Sequence, residues 1–382
     1  MKGISLPRGA GRVETEERRR IIESETNTKF SHIAIGSFEP ETASKNCENF
    51  IGVAQVPMGV VGPLRIRGKK AKGDFFIPLA TTEGALIATI ARGCSVITDS
   101  GGAYSRVLKD EMTRAPVFRV EGIEHALQTS KWIENNLRRL ESEVKKVTRH
   151  GELISALPFI SGRTLHVRLS FRTGDAMGMN IATFASQRIC DIIERETGAV
   201  TISVSGNVCT DKKPSAINYI LGRGKTVVAE ATIPERVVRR RLHATSAEIV
   251  ETAYRKNLLG SAISLAYGFN SHFANMAAAL FIATGQDAAQ VVEASMGIST
   301  AEHIDGGLYV SIRLPSLEVG TVGGGTSLPT QREALQMIGC SGSGKAVKFA
   351  EIAASVILAG ELSTLAAQAR GELASAHMKL AR

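Results

Sequence analysis

Two lysines stand side by side behind an aspartate in Ser205-Gly-Asn-Val-Cys-Thr-Asp-Lys-Lys-Pro214. Ammonium groups in a loop that follows a strand-like run and is stopped by proline suit the stabilisation of a developing oxyanion. The same residues also fit a solvated charge cluster. Glu83, in Ala80-Thr-Thr-Glu-Gly84, stands at the head of an otherwise apolar helical stretch. Burial there would raise its pKa and let it carry a proton near neutral pH; a first-turn carboxylate that caps the helix is the plainer alternative. Asp287 follows Gly285, and with Gln290 three residues on it fits an N-cap. His377, near the C-terminus, has the setting of a surface histidine.

Three further motifs bear on anions. Phe171-Arg-Thr-Gly-Asp-Ala-Met-Gly-Met-Asn180 joins a strand to a helix start, where free N–H groups and the helix dipole suit a phosphate; an ordinary start capped by Asp175 also explains it. Gly320-Thr-Val-Gly-Gly-Gly-Thr326 either brings backbone close to a ligand or forms a mobile turn. Gly339-Cys-Ser-Gly-Ser-Gly-Lys-Ala346 nearly matches the GxxxxGK[ST] phosphate loop of nucleotide hydrolases. Ala346 replaces the hydroxyl that would hold magnesium, and the preceding Glu333 to Gly339 reads as helix rather than strand, so both features argue against that function.

The elements that must position these residues come from a chain of 382 residues, 43% hydrophobic and 22% charged, which has the apolar material for a large core and is not disordered by composition. Two or three domains are expected. Forty-six Lys and Arg against 37 Asp and Glu give a net charge of +9, which favours anionic partners. Aromatics at 5% leave few stacking platforms, and no basic block is dense enough for a nucleic-acid tail, so a small anionic ligand is expected and nucleic acid is not. The N-terminus lacks a signal-peptide core, and the apolar run 276–283 is too short to span a membrane, which leads to the expectation of a cytoplasmic protein without membrane partners. Five widely spaced cysteines without zinc spacing are expected to be reduced thiols, with no structural metal.

Residues 12–25 read as a helix. Residues 51–64 mix Gly and Pro with β-branched residues and suggest short strands broken by turns, and 81–97 reads as a buried helix suited to a central core position, with Thr81 or Thr82 as N-cap. Between 116 and 204 the pattern is clearest: strand 116–121, a long amphipathic helix 123–149, strand 152–160, an alternating strand 163–171, helix 175–197 and strand 199–204. That order is the split β-α-β arrangement of ferredoxin-like domains. Helical stretches follow at 248–258, 271–284, 287–296 and 347–376. The expected fold class is α+β: a large mixed α/β domain with a central helix, into which the 116–204 unit is inserted. The expected boundaries are a helical lead-in at 1–44, a first part of the large domain at 45–115, the insertion at 116–204, and a second part at 205–382 holding the 205–214 loop and a tail at 372–382.

Taken together, the motifs resemble the 3-hydroxy-3-methylglutaryl-CoA (HMG-CoA) reductase family. The resemblance runs through Glu48-Asn-Phe-Ile-Gly52, 57–64, Ala80 to Gly84, Asp175 to Asn180, 205–225, 260–286, 314–326 and Ser375-Ala-His-Met378. It implies reduction of HMG-CoA to mevalonate and CoA by two hydride transfers from NADPH, through mevaldehyde, in the mevalonate route to isoprenoids. Asp175-Ala-Met-Gly-Met-Asn180, with Met179, is similar to the eukaryotic and archaeal class (class I), which implies NADPH as cofactor, no metal, and a soluble archaeal-type enzyme.

The resemblance also implies roles. Lys212 would stabilise the oxyanion, Glu83 would donate a proton to the carbonyl oxygen, Asp287 would tune both, and His377 would protonate the departing thiolate from a tail that closes as a lid. Ser205, Asp211, Lys213, Arg114, Lys256 and Asn275 would hold the HMG moiety, Arg92 a CoA phosphate, and His272 the catalytic network. Asp175, Met177, Gly178, Met179 and Asn180, with Gly323, Gly324 and Gly325, would line the NADP site in the small domain. An obligate homodimer or homotetramer is implied, with the 205–214 loop of one subunit facing Glu83 of another. Two departures stand out: Tyr267 replaces a glycine of the family pattern, and no serine follows His377, so inhibitory phosphorylation there is not expected. The competing expectations are a relative that oxidises mevalonate with NAD, a phosphate-loop nucleotide hydrolase built on 339–346, and a non-catalytic basic binding module.

Overall fold

Leu165, Val167, Leu169 and Phe171 alternate with polar neighbours and form the strand Thr164–Arg172, in which all four side chains are fully buried. The computed structural model describes residues 5–371. Around this strand the antiparallel order is Val200–Ser203, Val117–Arg119, Thr164–Arg172, Glu152–Ser161, which is the ferredoxin-like strand order. Ile133, Leu140, Val144, Ile189 and Ile193 from its helices close one hydrophobic cluster over the sheet. The single helix expected over 123–149 is two, Ile123–Asn135 and Leu137–Val147, parted at Asn136. The Asn136 amide donates to the Trp132 carbonyl at 2.8 Å, the local side-chain-to-backbone bond by which asparagine competes with helix.

A second, larger cluster fills the rest of the molecule. The broken strands expected over 51–64 are instead one strand, Met58–Arg67, paired antiparallel with Lys72–Ala80; Gly62 and Pro63 sit where its register shifts between Val61 and Leu64, which is how a strand accommodates proline. Tyr104–Arg114 joins the two parts of the protein. Its end pairs with Thr164–Arg172 and its body with Gly224–Pro234, which continues into Gly307–Leu317 and Gly297–Ile304, so among the described residues one nine-stranded sheet underlies both clusters.

The helix expected at 81–97 begins later, as Leu86–Asp99, because Ala85 adopts a left-handed conformation (φ 69°) and the preceding residues form a turn. The central position belongs to Ala346–Ala369, which packs against Leu86–Asp99 and against Gly224–Pro234. A Cβ on Gly93 would lie 1.8 Å from the Ala359 carbonyl oxygen, so glycine is required where these helices cross. Ala346–Ala369 is long and apolar enough to cross a membrane, yet its whole apolar window is buried in the core. The part of the expected helix beyond residue 371 lies outside the described residues. At the other end of the chain, Arg12–Thr26 is anchored by buried Arg18, which donates to the Phe50, Pro7 and Gly9 carbonyls.

Candidate active site

Between Val200–Ser203 and the helix Ala216–Leu221, the loop folds tightly enough that Asn207, Thr210 and Lys212 all take positive φ values of 64°, 48° and 56°. Non-glycine residues in that region carry strain that persists only where surroundings hold it, commonly at functional sites. Lys212 Nζ lies 2.9 Å from Asp287 Oδ2, and the hydrogen bond to Asp287 raises the ammonium above the ordinary lysine range. Asp287 does act as the expected N-cap, its Oδ1 accepting from Ala289 N–H at 3.1 Å, while its second oxygen faces Lys212. The Lys212 backbone N–H donates to Glu293.

Asp211, next in the chain, turns inward. Its Oδ1 accepts from Arg223 at 2.9 Å and Gln290 at 3.1 Å, and Arg114 stands 3.5 Å from Oδ2. Burial works to raise its carboxyl, but Arg223, Gln290 and Arg114 outweigh it and hold it below the usual range. Arg223 is fully buried and also meets Glu318 at 2.5 Å, Glu293 at 3.4 Å and the Met179 sulfur at 2.6 Å. Three carboxylates thus share one buried guanidinium. Burial pushes Glu293 up to about 7 and Glu318 well above the ordinary range, in each case against the pull of Arg223.

Asp287 also lines a cavity of about 460 Å³, with Met177, Gly178, Met179, Asn180, Gly323, Gly324 and Gly325 on its walls. A Cβ on Gly323 or Gly324 would meet nothing within 4 Å, so their backbone is open to a ligand. Gly178 precedes the helix Met179–Thr197, and its residue type leaves that N-terminus without a side-chain cap of its own. Asp175 is not among the lining residues. Its carboxylate accepts the Gly344, Lys345 and Ala346 N–H groups at 2.6, 3.0 and 3.0 Å, capping the central helix Ala346–Ala369 rather than its own. Burial opposes ionisation of Asp175, but the three backbone donors hold its pKa below the usual carboxylate range. The phosphate-loop resemblance of 339–346 has its physical answer here: the N–H groups that would cradle phosphate are taken.

A second group of residues gathers at the other end of the helix Phe273–Thr284. Asn275 Nδ2 donates to Glu83 Oε1 at 3.1 Å and lies 3.3 Å from His272 Nδ1, whose ring pairs through Nε2 with Thr364. Burial lowers the His272 pKa, against the opposing pull of Glu361 and Glu83. Glu361, buried on the central helix, accepts from Ser271 N–H at 2.6 Å, from Ser299 Oγ at 2.8 Å and from Asn257 Nδ2 at 2.9 Å, and Asn257 accepts from Lys256 at 3.1 Å. Burial lowers the Lys256 ammonium. Glu83 itself is exposed, in the turn before the helix, and not buried at the helix head.

The family model described as hydroxymethylglutaryl-coenzyme A reductase matches residues 14–382. The chain belongs to this family. It is 53% identical over 383 residues to the 3-hydroxy-3-methylglutaryl-coenzyme A reductase of Pyrococcus horikoshii, covering 98% of this chain and 93% of that one. With the Aeropyrum pernix enzyme of the same name it shares 54% over 374 residues, 96% of this chain and 89% of the relative. Among solved structures, the class II 3-hydroxy-3-methylglutaryl-CoA reductase from Streptococcus pneumoniae, bound to NADPH in open conformations, matches with a TM-score of 0.71 at 18% identity, over 92% of this chain and 96% of that one, a likeness of fold.

In this HMG-CoA reductase family chain, the remaining expected site residues fall as follows. Arg114, Asp211 and Lys213 lie at the lysine loop, with Lys213 donating to the Asp211 carbonyl at 3.1 Å, and Ser205 opens that loop with Oγ 3.9 Å from Cys209 Sγ. Arg92 sits apart, donating to Ser363 Oγ and carbonyl at 2.8 Å each and lining a small pocket with Arg240, Arg241 and His243. His377 and the 372–382 tail lie outside the described residues. Sequence reasoning missed Arg223, Glu293, Glu318, Glu361 and Thr364, and it read Gln290 only as part of a helix cap rather than as a partner of Asp211. The available signal was a lone charge inside an apolar run, as in Pro315-Ser-Leu-Glu-Val319, since charges buried this way require partners.

Proposed function

We propose that the protein is an NADPH-dependent HMG-CoA reductase that converts HMG-CoA to mevalonate and CoA in two reductive steps. The observation that carries this reading is the double placement of Asp287, which pairs with Lys212 and lines the glycine-walled cavity, so an ammonium stands at the mouth of a cleft suited to a dinucleotide. The cavity fits the cofactor: open glycine backbone for close approach, an N-terminus free of a local side-chain cap for a phosphate, and methionines for an apolar face. NADPH, when bound there by Met177 to Asn180 and Gly323 to Gly325, supplies hydride. Lys212 then stabilises the oxyanion of the substrate carbonyl, its charge secured by Asp287. Asp211 and Arg114 fix the loop that carries it. Glu83, joined through Asn275 to His272, protonates the carbonyl oxygen, and His377 protonates the CoA thiolate so that it does not re-add. Ser205, Lys213 and Lys256 hold the HMG moiety, and Arg92 a CoA phosphate.

The lysine group and the Glu83 group occupy opposite ends of Phe273–Thr284, a separation of about 18 Å at 1.5 Å per residue. This supports a site completed between two subunits of a homodimer or homotetramer, Glu83 from one and Lys212 from another. The division into a small cofactor-binding unit at 116–204 and a large substrate-binding remainder, and a cytoplasmic location, belong to the same reading. So does class I membership, supported by Met179 in the Asp175 to Asn180 motif and by 53% identity to an archaeal enzyme.

The direct test is HMG-CoA-dependent oxidation of NADPH and, separately, NADH, followed by absorbance. NADPH preference is expected; NADH preference would favour the mevalonate-oxidising alternative, and no turnover with either would overturn the reading. Mixing inactive Glu83→Gln and Lys212→Ala chains tests the shared site. Hetero-oligomers should regain activity, because one site of each pair is then wild type. Continued inactivity of demonstrably mixed oligomers would return both residues to one chain.

A further inference from the structure

Glu293 stands where the catalytic loop, the cofactor cavity and the buried charge cluster meet, and none of the roles above uses it. It sits on the short helix Val291–Ala294, immediately after the segment begun by Asp287, with a side chain fully shielded from solvent. One carboxyl oxygen, Oε1, accepts the backbone N–H of Lys212 and faces Arg223 at 3.4 Å. Its Oε2 is buried without a hydrogen-bond partner, as is Oε2 of Glu318, which meets the same Arg223 nitrogen. Arg223 already has a closer carboxylate in Glu318 at 2.5 Å and another in Asp211 at 2.9 Å, so it does not require Glu293 for neutralisation. Lys212, by contrast, is held at φ 56°, and the acceptor that its N–H finds in that conformation is Glu293.

We propose that Glu293 is a positioning residue: its Oε1 pins the backbone of Lys212 in the left-handed conformation and thereby sets where the Lys212 ammonium meets Asp287. Asp287 and Glu293 belong to one continuous turn, so a single rigid segment grips Lys212 at both ends, the backbone through Glu293 and the ammonium through Asp287. What this task needs from residue 293 is a carbonyl-type oxygen, not a negative charge. A glutamine provides that oxygen at the same reach; an apolar side chain of similar volume does not. The inference rests on the reading of Lys212 as the oxyanion-stabilising residue.

The test compares Glu293→Gln, Glu293→Leu and, as a second apolar variant should leucine prevent folding, Glu293→Met, in the full-length oligomeric protein. The first readout needs no substrate: competitive acylation of lysines across a pH series, with the Lys212 peptide quantified by mass spectrometry. In the leucine or methionine variant Lys212 should become reactive at lower pH, as its pairing with Asp287 loosens, while the glutamine variant follows wild type. The second readout is turnover, where loss of the acceptor should lower kcat about tenfold or more with KM for HMG-CoA changed less than about threefold, and glutamine should restore kcat to within about threefold. Equal loss in the glutamine and apolar variants would overturn the proposal in favour of a charge-balancing role for Glu293. An unchanged Lys212 titration in a folded apolar variant would overturn it as well. If wild type fails to reduce HMG-CoA, the labelling arm still decides the role of Glu293, so the two failures are separable.

Discussion

At one end of the helix Phe273–Thr284, Glu83, Asn275, His272 and Thr364 form a line of hydrogen bonds in which the imidazole is disfavoured as a cation by burial. At the other end, Lys212, Asp287, Asp211, Arg114 and Arg223 are ion-paired, and Lys212 is held firmly in its charged form. The first arrangement joins an exposed carboxylate to a buried imidazole through one amide. The second keeps a fixed positive charge in place whatever happens nearby. On the proposed reading, in which Glu83 donates a proton and Lys212 stabilises an oxyanion, the two tasks place different demands on their surroundings, and a helix length separates the two settings within one chain.

That contrast can be broken. Lys212→Ala should have the largest effect, a loss of about 10²- to 10³-fold in HMG-CoA-dependent turnover with the thermal midpoint little changed, since the side chain is half exposed. A residual rate close to wild type would remove the fixed-charge end from the argument. Asp175→Ala should come next, through stability: it frees three backbone donors at the start of the central helix and should cost about 1–2 kcal/mol, read as a lower urea midpoint at unchanged slope. Asn275→Ala at the hydrogen-bonded end should lose about 1 kcal/mol of positioning, roughly fivefold in turnover, a smaller loss than Lys212→Ala. If it proved the larger, the ranking of the two ends would reverse.

The smallest effect is a slope. Glu293 is raised from an ordinary value of 4.5 to about 7 by burial, so the folded protein binds this proton more tightly than the unfolded chain. Its contribution to stability is therefore fully present below about 4.5 and falls as pH rises through about 7. Glu293→Gln should flatten that part of the stability profile in denaturant melts. A wild-type profile that rises across the same window, with no change in the variant, would show that Glu293 is ionised throughout.

What could be read from the chain divides along physical lines. Within 116–204 the elements were legible because residue type alternates along Thr164–Arg172, even though its polar Arg168 and Ser170 are buried as well, and because the helices carry apolar stripes. Gly224–Pro234 and Gly307–Leu317 were not legible: the buried start of the first carries Lys225 and Thr226 and the buried end of the second carries Pro315 and Ser316, so residue type there does not follow burial. Lys212, Asp287, Asn275 and His272 were found through motif resemblance, and the structure gathers them in two groups. Glu83 was placed at the head of the helix, with burial or capping as the two readings, and neither holds because nothing local announces the left-handed Ala85 that delays the helix. Glu361 and Glu351 were invisible for another reason. They lie on Ala346–Ala369, an apolar run in which each carboxylate is matched by N–H groups hundreds or scores of residues away in sequence, Lys69 to Ala71 for Glu351 and Ser271 for Glu361.

The capture of Gly344, Lys345 and Ala346 by Asp175 has a consequence for ligand competition. A carboxylate anchored in the adjoining loop, which is itself tied to Thr321 by a backbone bond of 2.8 Å, is present at those N–H groups at an effective concentration on the order of millimolar or higher. A free nucleotide must displace this resident anion before it can bind. The loop is thus closed to phosphate by tenancy rather than by lack of donors, and a sequence pattern that describes only the donors cannot distinguish a vacant cradle from a let one.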